Sequence, residues 1–329
     1  MEKDHGDKKT IEKVPGGMMV VPLLFGAVIH TFWPKSAEFL GGFTGSFMTG
    51  TGAILFIFFF ALGTGLDIRS TGRIARKGMN MLLAKVFLAA LLGILASRIL
   101  PNGGVTSGIF SGLSVLAIIA SFNAINGGLL VALLTPLNRK IDVASYPFFS
   151  IQSGPFFTMI TLGAAGLGQF PWQALLSTLI PYILGILCGS LDPDMRKMFA
   201  PVAGTLVPFF AFTLGYSLDL SMIVRSGFTG IIMGIAVVLV SGLVMWAADR
   251  FISGSDGLEG IAASSTAGAA VTVPATIAMM DKTYSATADS ATAIVATSVI
   301  VTAILTPMLT MWYYKRLIRT NRLEDQMKY

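Results

Sequence analysis

Ten stretches of this 329-residue chain stay apolar for about 18 residues or more, the length at which a helix can cross a bilayer. They run near 15–33, 46–66, 79–99, 107–135, 145–166, 172–190, 201–218, 227–248, 258–280 and 287–312. Only short polar segments separate them, too short to hold a soluble domain. The pattern predicts an all-α integral membrane protein of ten transmembrane helices, with charged tails at 1–13 and 316–329. The first run follows a charged stretch, as in a signal peptide. It is longer than an h-region and has no A-x-A site, so it reads as a retained span.

Composition agrees. Hydrophobic residues make up 54% of the chain and charged residues 12%, against about 25% charged in a soluble domain. The net charge of +6 could suggest nucleic acid, but the placement of the basic residues points to topology. Most of the 23 Lys and Arg residues fall on one side of the bilayer if both termini lie there, including Arg73, Lys77, Arg139 and Arg250. By the positive-inside rule that side is the cytoplasm, here of a bacterial inner membrane. One cysteine, Cys188, rules out an internal disulfide and a multi-cysteine metal site.

Two runs resemble each other. At an offset of 152, six of the ten positions from 58 to 67 are identical: Phe58/Phe210, Phe60/Phe212, Leu62/Leu214, Gly63/Gly215, Leu66/Leu218 and Asp67/Asp219. The same offset pairs Pro155, Thr158 and Met159 with Pro307, Thr310 and Met311, and a nearby one pairs Pro22 and Gly26 with Pro181 and Gly185. Two five-helix repeats, 14–168 and 169–315, follow from this. An odd number of crossings inverts the second, in keeping with the basic loop after Asp67 and the sparsely charged one after Asp219. Inverted repeats with a midplane site are a mark of secondary transporters.

In such proteins the site falls where corresponding helices of the two halves are interrupted. The fourth run carries Asn123, Asn126, Gly127 and Gly128 in its middle; the ninth carries Ser264, Ser265, Thr266, Gly268, Thr272 and Pro274. Both are expected to be discontinuous and to cross at their breaks. Half-helix N-termini suit a carboxylate, and amides and hydroxyls suit a polyol. The substrate class predicted is a small anionic sugar derivative. Gln152 and Ser153, just before Pro155, are expected at the same depth.

Coupling to an ion needs a titratable group or a cluster of oxygens. Glu259 opens the ninth run and stands as a first-turn charge or a coupling acid. Asp67 and Asp219 at helix ends read first as caps, with Asp67 retained as a coupling candidate. Lys85 reads as a snorkelling side chain. No metal, cofactor or catalytic motif is expected. An intramembrane enzyme using Asp67 and Asp219 is disfavoured, because the topology puts them at opposite faces. A channel is disfavoured by the lack of a charged ring. Oligomeric state is left open.

The segments EKVPGGMM at 12–19, NGGL at 126–129, SGP at 153–155, LDPD at 191–194 and GIAASSTAGAAV at 260–271 resemble the 2-keto-3-deoxygluconate permeases across 12–312. The resemblance implies a proton-coupled symporter with a fold similar to the bile acid sodium symporters, in which a six-helix core moves against a four-helix panel. Acids commonly occupy in that family the positions held here by Asn123 and Gln152. Amides keep the acceptor oxygen but cannot titrate, which leaves H+ or Na+ as the coupling ion and the sodium-coupled organic anion transporters of this fold as the alternative.

Overall fold

The computed structural model describes residues 17–65, 72–101, 103–134, 137–150, 152, 154–164, 166–168, 172–216 and 220–324. Among them are helices and no strand. The first half holds α1 (Gly17–Phe32), α2 (Ser36–Leu40), α3 (Gly42–Thr49), α4 (Thr51–Thr64), α5 (Gly72–Ile99), α6 (Val115–Asn123), α7 (Gly127–Leu134), α8 (Lys140–Ser150) and α9 (Pro155–Ala164). The second half holds α10 (Trp172–Leu191), α11 (Pro193–Phe199), α12 (Val202–Gly215), α13 (Leu220–Ala236), α14 (Gly242–Ala247), α15 (Leu258–Ala262), α16 (Val273–Met280) and α17 (Ser285–Arg319). Wide π-turns at Val237–Ser241 and Ala248–Ile252 carry α13 through α14 as one rod.

Among the described residues, three rods are by themselves long and apolar enough to cross a membrane: Gly72–Ile99, Gly227–Ile252 and Lys282–Arg319. The bent pair α3 and α4, which meet at 64°, passes the same test when taken together, as a broken span or a re-entrant loop. The faces they expose argue for lipid. On α5, Leu83, Phe87, Leu91 and Ile94 are exposed while Lys77, Met81, Lys85 and Ala89 are buried. On α13 and α14 the exposed row is Phe228, Ile231, Ile235, Leu239 and Leu243; on α10 it is Leu176, Ile180, Ile183 and Leu187. Apolar rows at helical spacing facing outward, with charge inside, invert the soluble pattern and suit a hydrocarbon solvent.

Three other runs are interrupted. The run at 107–135 begins its helix only at Ser114, whose Oγ accepts the Ala117 N–H at 3.2 Å. It stops at Ala124, which is extended at φ −116, ψ 148, and restarts as α7, where Asn126 Oδ1 accepts the Leu129 N–H at 3.1 Å. The run at 258–280 breaks between α15 and a 3-10 turn at Gly268–Thr272, with Ala267 at φ −66, ψ 141. A third break separates α8 from α9, where the sequence pattern reads one span over 145–166. Its reason is Pro155, which has no N–H to give and bars its predecessor from helical geometry. Pro307, at the corresponding offset, is absorbed inside α17. Helix α5 also starts earlier than the run at 79–99, so Lys77 belongs to a helix and not to a loop.

Helix α1 packs on α12 and α4 on α10, while α5 packs on α6 and α8, and α13 on α17. Two glycines make the first pair of contacts close. A Cβ on Gly26 would lie 2.2 Å from the Phe212 carbonyl oxygen and 2.7 Å from the Tyr216 nitrogen. A Cβ on Gly185 would lie 2.1 Å from the Phe60 carbonyl oxygen and 2.9 Å from the Thr64 nitrogen. Backbone meets backbone at both points, an approach that only residues without a side chain allow.

Candidate functional site

The two interrupted segments meet at their breaks. Broken backbone away from water must find partners inside the protein, and here each segment serves the other. The Ala267 N–H donates to the Ala124 carbonyl at 3.2 Å. The Asn126 N–H donates to Ser265 Oγ at 3.0 Å, and Thr266 Oγ1 donates to the Ser121 carbonyl at 3.1 Å. Helix α17 backs the junction: the Thr266 N–H reaches Thr302 Oγ1 at 3.2 Å, and Thr306 Oγ1 donates to the Ser264 carbonyl at 2.7 Å.

The residues singled out in the sequence divide into three groups. Asn126, Ser265 and Thr266 tie the crossover together. Ser264 and Thr272 turn back on their own segments, donating to the Ile261 carbonyl at 2.6 Å and the Ala269 carbonyl at 2.8 Å. That back-bonding is the ordinary role of hydroxyls in membrane helices. Gly127 and Gly128 open α7, and Gly268 opens the 3-10 turn.

Asn123 and Gln152 form the third group. Both are buried, at 1% and 0% exposure. Asn123 Nδ2 donates to Thr158 Oγ1 at 3.2 Å, linking α6 to α9. Asn123 Oδ1, both polar atoms of the Gln152 amide, Ser121 Oγ and Thr161 Oγ1 are buried with no hydrogen-bond partner among the described residues. Buried polar atoms are nearly always paired, so these unmatched atoms are the candidates to meet a polar guest. Ser153, Asp67 and Asp219 lie outside the described residues.

Aromatic groups that the sequence reading missed stand beside these breaks. A Cβ on Gly127 would lie 1.8 Å from the ring tip of Tyr146 on α8. A Cβ on Gly154 would lie 3.2 Å from Phe59, which stacks on Tyr182 at 5.3 Å. A hydroxyl-bearing ring in the middle of an apolar run was the available signal.

Lys85 does not snorkel. It is fully buried on α5, and its ammonium donates to Ser241 Oγ at 2.5 Å and to the Ser265 carbonyl at 3.2 Å, at the break itself. The cause is the inward face of α5: Lys85 shares it with Met81, Leu88 and Ala89, and the outward face at that level carries Leu83, Phe87 and Leu91.

Two turns along α5 lies a different environment. Lys77 contacts Asp142, Ser255 Oγ at 2.9 Å, Glu259 at 3.1 Å and Asp249 at 3.2 Å. Glu259 also accepts from Ser145 Oγ. Arg139 bonds Asp142 at 2.7 Å and Asp256 at 2.8 Å. All six charged groups are at most 5% exposed. Burial works against the Arg139 charge, but Asp142 and Asp256 outweigh it and hold its pKa above the ordinary guanidinium value. Glu324, beyond α17, closes the cluster: its carboxylate meets Arg73 and Ser255, its N–H donates to Asp256 at 2.9 Å, and its carbonyl accepts from Arg139 at 2.9 Å. Lys77 and Arg139 are therefore interior ion-pair partners, where the sequence pattern counts them as loop charges.

Outward apolar faces, inward polar groups and interrupted helices joined at their breaks define an integral membrane protein with an internal polar site. The chain matches the family described as 2-keto-3-deoxygluconate permease over residues 8–319. It is 51% identical over 315 residues to the 2-keto-3-deoxygluconate permease of Bacillus subtilis (strain 168), covering 96% of each chain. Identity to the protein of that name from Xanthomonas axonopodis pv. citri (strain 306) is 45%, over 94% of this chain and 97% of the relative; for Escherichia coli (strain K12 / DH10B) it is 42%, over 96% and 97%. The chain belongs to the 2-keto-3-deoxygluconate permease family. It is a transport protein of the membrane, which disposes of the enzyme reading.

Proposed function

We propose that the chain imports 2-keto-3-deoxygluconate, or a closely related sugar acid, across the bacterial inner membrane by cation symport with alternating access. The observation that carries this reading is the unpartnered buried amide oxygen of Asn123 next to the junction of two interrupted helices, with the unpartnered Gln152 amide in the break before Pro155. A sugar acid offers hydroxyls and a keto oxygen to those amides and a carboxylate to the N-terminal end of α7 at Gly127 and Gly128. The relatives' names point to the same substrate class.

Ten crossings in two inverted halves complete the proposal. Support comes from the glycine contacts: at the offset of 152, Phe212 and Tyr216 correspond to Phe60 and Thr64, so Gly26 on Phe212 and Gly185 on Phe60 are the same contact made twice. The contacts α1 on α12 and α4 on α10 are exchanged by the same operation. The sixth and first runs, with the second and seventh, would form the panel against which the rest moves. Both termini would face the cytoplasm, the side to which the positive-inside rule assigns Arg73, Arg76, Lys140, Arg196 and Arg250. The coupling cation is a proton.

Sealed vesicles containing the purified protein should accumulate labelled 2-keto-3-deoxygluconate when an inward proton gradient is imposed. Accumulation driven only by a sodium gradient would change the coupling ion; no gradient-driven accumulation of any sugar acid would end the symport reading. Replacing Asn123→Leu should lower uptake at least about tenfold, because the amide oxygen left without a protein partner for the substrate is lost.

A further inference from the structure

We infer that Lys85 carries the coupling proton and acts as a cation tethered at the helix crossover. This rests on the symport reading above and assigns it a residue.

A buried ammonium ordinarily has a carboxylate within reach. Lys85 has two neutral oxygens instead, Ser241 Oγ and the Ser265 carbonyl. No ion pair to Lys85 occurs among the described residues, although the same helix places Lys77 among three carboxylates. The titratable and charged groups on the elements around it are accounted for. On α5 itself stand Lys77, Arg73, Arg76 and Arg98; α8 brings Lys140, Asp142 and Tyr146; the turn at Ala248–Ile252 brings Asp249 and Arg250; α15 brings Glu259. Helices α6 and α9 and the turn at Val237–Ser241 bring none. Asp142, Asp249 and Glu259 are all engaged by Lys77, about 12 Å along α5 from Lys85 by helical rise.

The contact also lies where a proton can act on transport. Ser265 offers its carbonyl to Lys85 and, through Oγ, accepts the Asn126 N–H at the start of α7. One residue therefore joins Lys85 to both interrupted helices and to the helix end proposed to hold the substrate carboxylate. In the charged form, the ammonium makes a charge-assisted bond to that carbonyl and holds the break in place. When the proton leaves to water, the amine keeps its lone pair and the bond to the carbonyl weakens. The lone pair takes a proton from water on the side of higher proton activity and returns it on the other. Nothing else is consumed. A fixed side chain alternating between amine and ammonium thus does at the crossover what a bound metal cation would do: it adds one positive charge when the anionic substrate is bound.

The test uses the full chain in sealed vesicles, with labelled 2-keto-3-deoxygluconate and three readouts: accumulation under a proton gradient, substrate exchange without a gradient, and proton uptake on adding substrate. Lys85→Gln removes the charge, and Lys85→Arg makes it permanent. Both should still exchange substrate while losing at least about tenfold in gradient-driven accumulation, along with substrate-induced proton uptake. Glu259→Gln should keep both coupled readouts. Wild-type coupling in either Lys85 variant overturns the assignment. So does a Glu259→Gln protein that exchanges substrate without moving protons, a result that decides even if the Lys85 variants fail to insert. An uncoupled wild-type protein would instead defeat the symport reading beneath it.

Discussion

Lys77 and Lys85 stand on one face of one helix, both buried, and their surroundings could hardly differ more. Lys77 is ringed by Asp142, Asp249, Glu259 and Ser255, and a second cation, Arg139, shares Asp142 with it. Lys85 meets a hydroxyl and a carbonyl. A charge matched on every side has no reason to change state; its removal strands the charges around it. A charge held only by neutral dipoles can leave without stranding anything. The first arrangement holds α5, α8, α15 and the residues after α17 together, and the second leaves a cation available at the crossover.

The comparison is tested most severely at Lys77. Lys77→Met leaves Asp249 and Glu259 buried without their cation and Asp142 with Arg139 as its cation, and should cost about 3–5 kcal/mol of stability, read as a fall in the unfolding midpoint in detergent. Lys85→Met strands only a hydroxyl and a carbonyl and should cost at most about 2 kcal/mol. Equal losses would mean that the two lysines are structural alike. Gln152→Leu should change stability by less than about 1 kcal/mol, since its amide has no partner to lose, yet lower uptake at least about tenfold. A destabilised Gln152→Leu protein with normal uptake would remove that residue from the site. The smallest effect is expected at the rim, where Arg73 is 38% exposed. Glu324→Gln should cost at most about 1 kcal/mol, because the main-chain bonds of residue 324 to Asp256 and Arg139 survive.

The interrupted helices were legible in the chain because Gly and Pro act locally: Asn126-Gly127-Gly128 and Gly268 with Pro274 interrupt a helix whatever surrounds them. The break before Pro155 carried the same signal and was read as a continuous span, since the apolar run passes unbroken through it. Hydroxyls were harder. Ser264, Ser265 and Thr266 are adjacent and chemically alike, but Ser264 bonds back to its own turn while the other two reach across to the fourth run. Glu259 could be marked from the sequence as a first-turn charge or a coupling acid, and its partners Lys77 and Ser145 came only from the structure.

By itself the sequence determined the medium, the helical class and the interrupted segments, because hydropathy, helical period and the backbone limits of Gly and Pro are properties of neighbouring residues. It also carried the family. The tertiary structure alone decided which charges are paired. Lys77, Asp142, Asp249 and Glu259 are far apart in the chain, and Lys85 meets Ser241 and Ser265 only when three helices pack. Electrostatic environment depends on distance and burial, and neither is written in the order of residues.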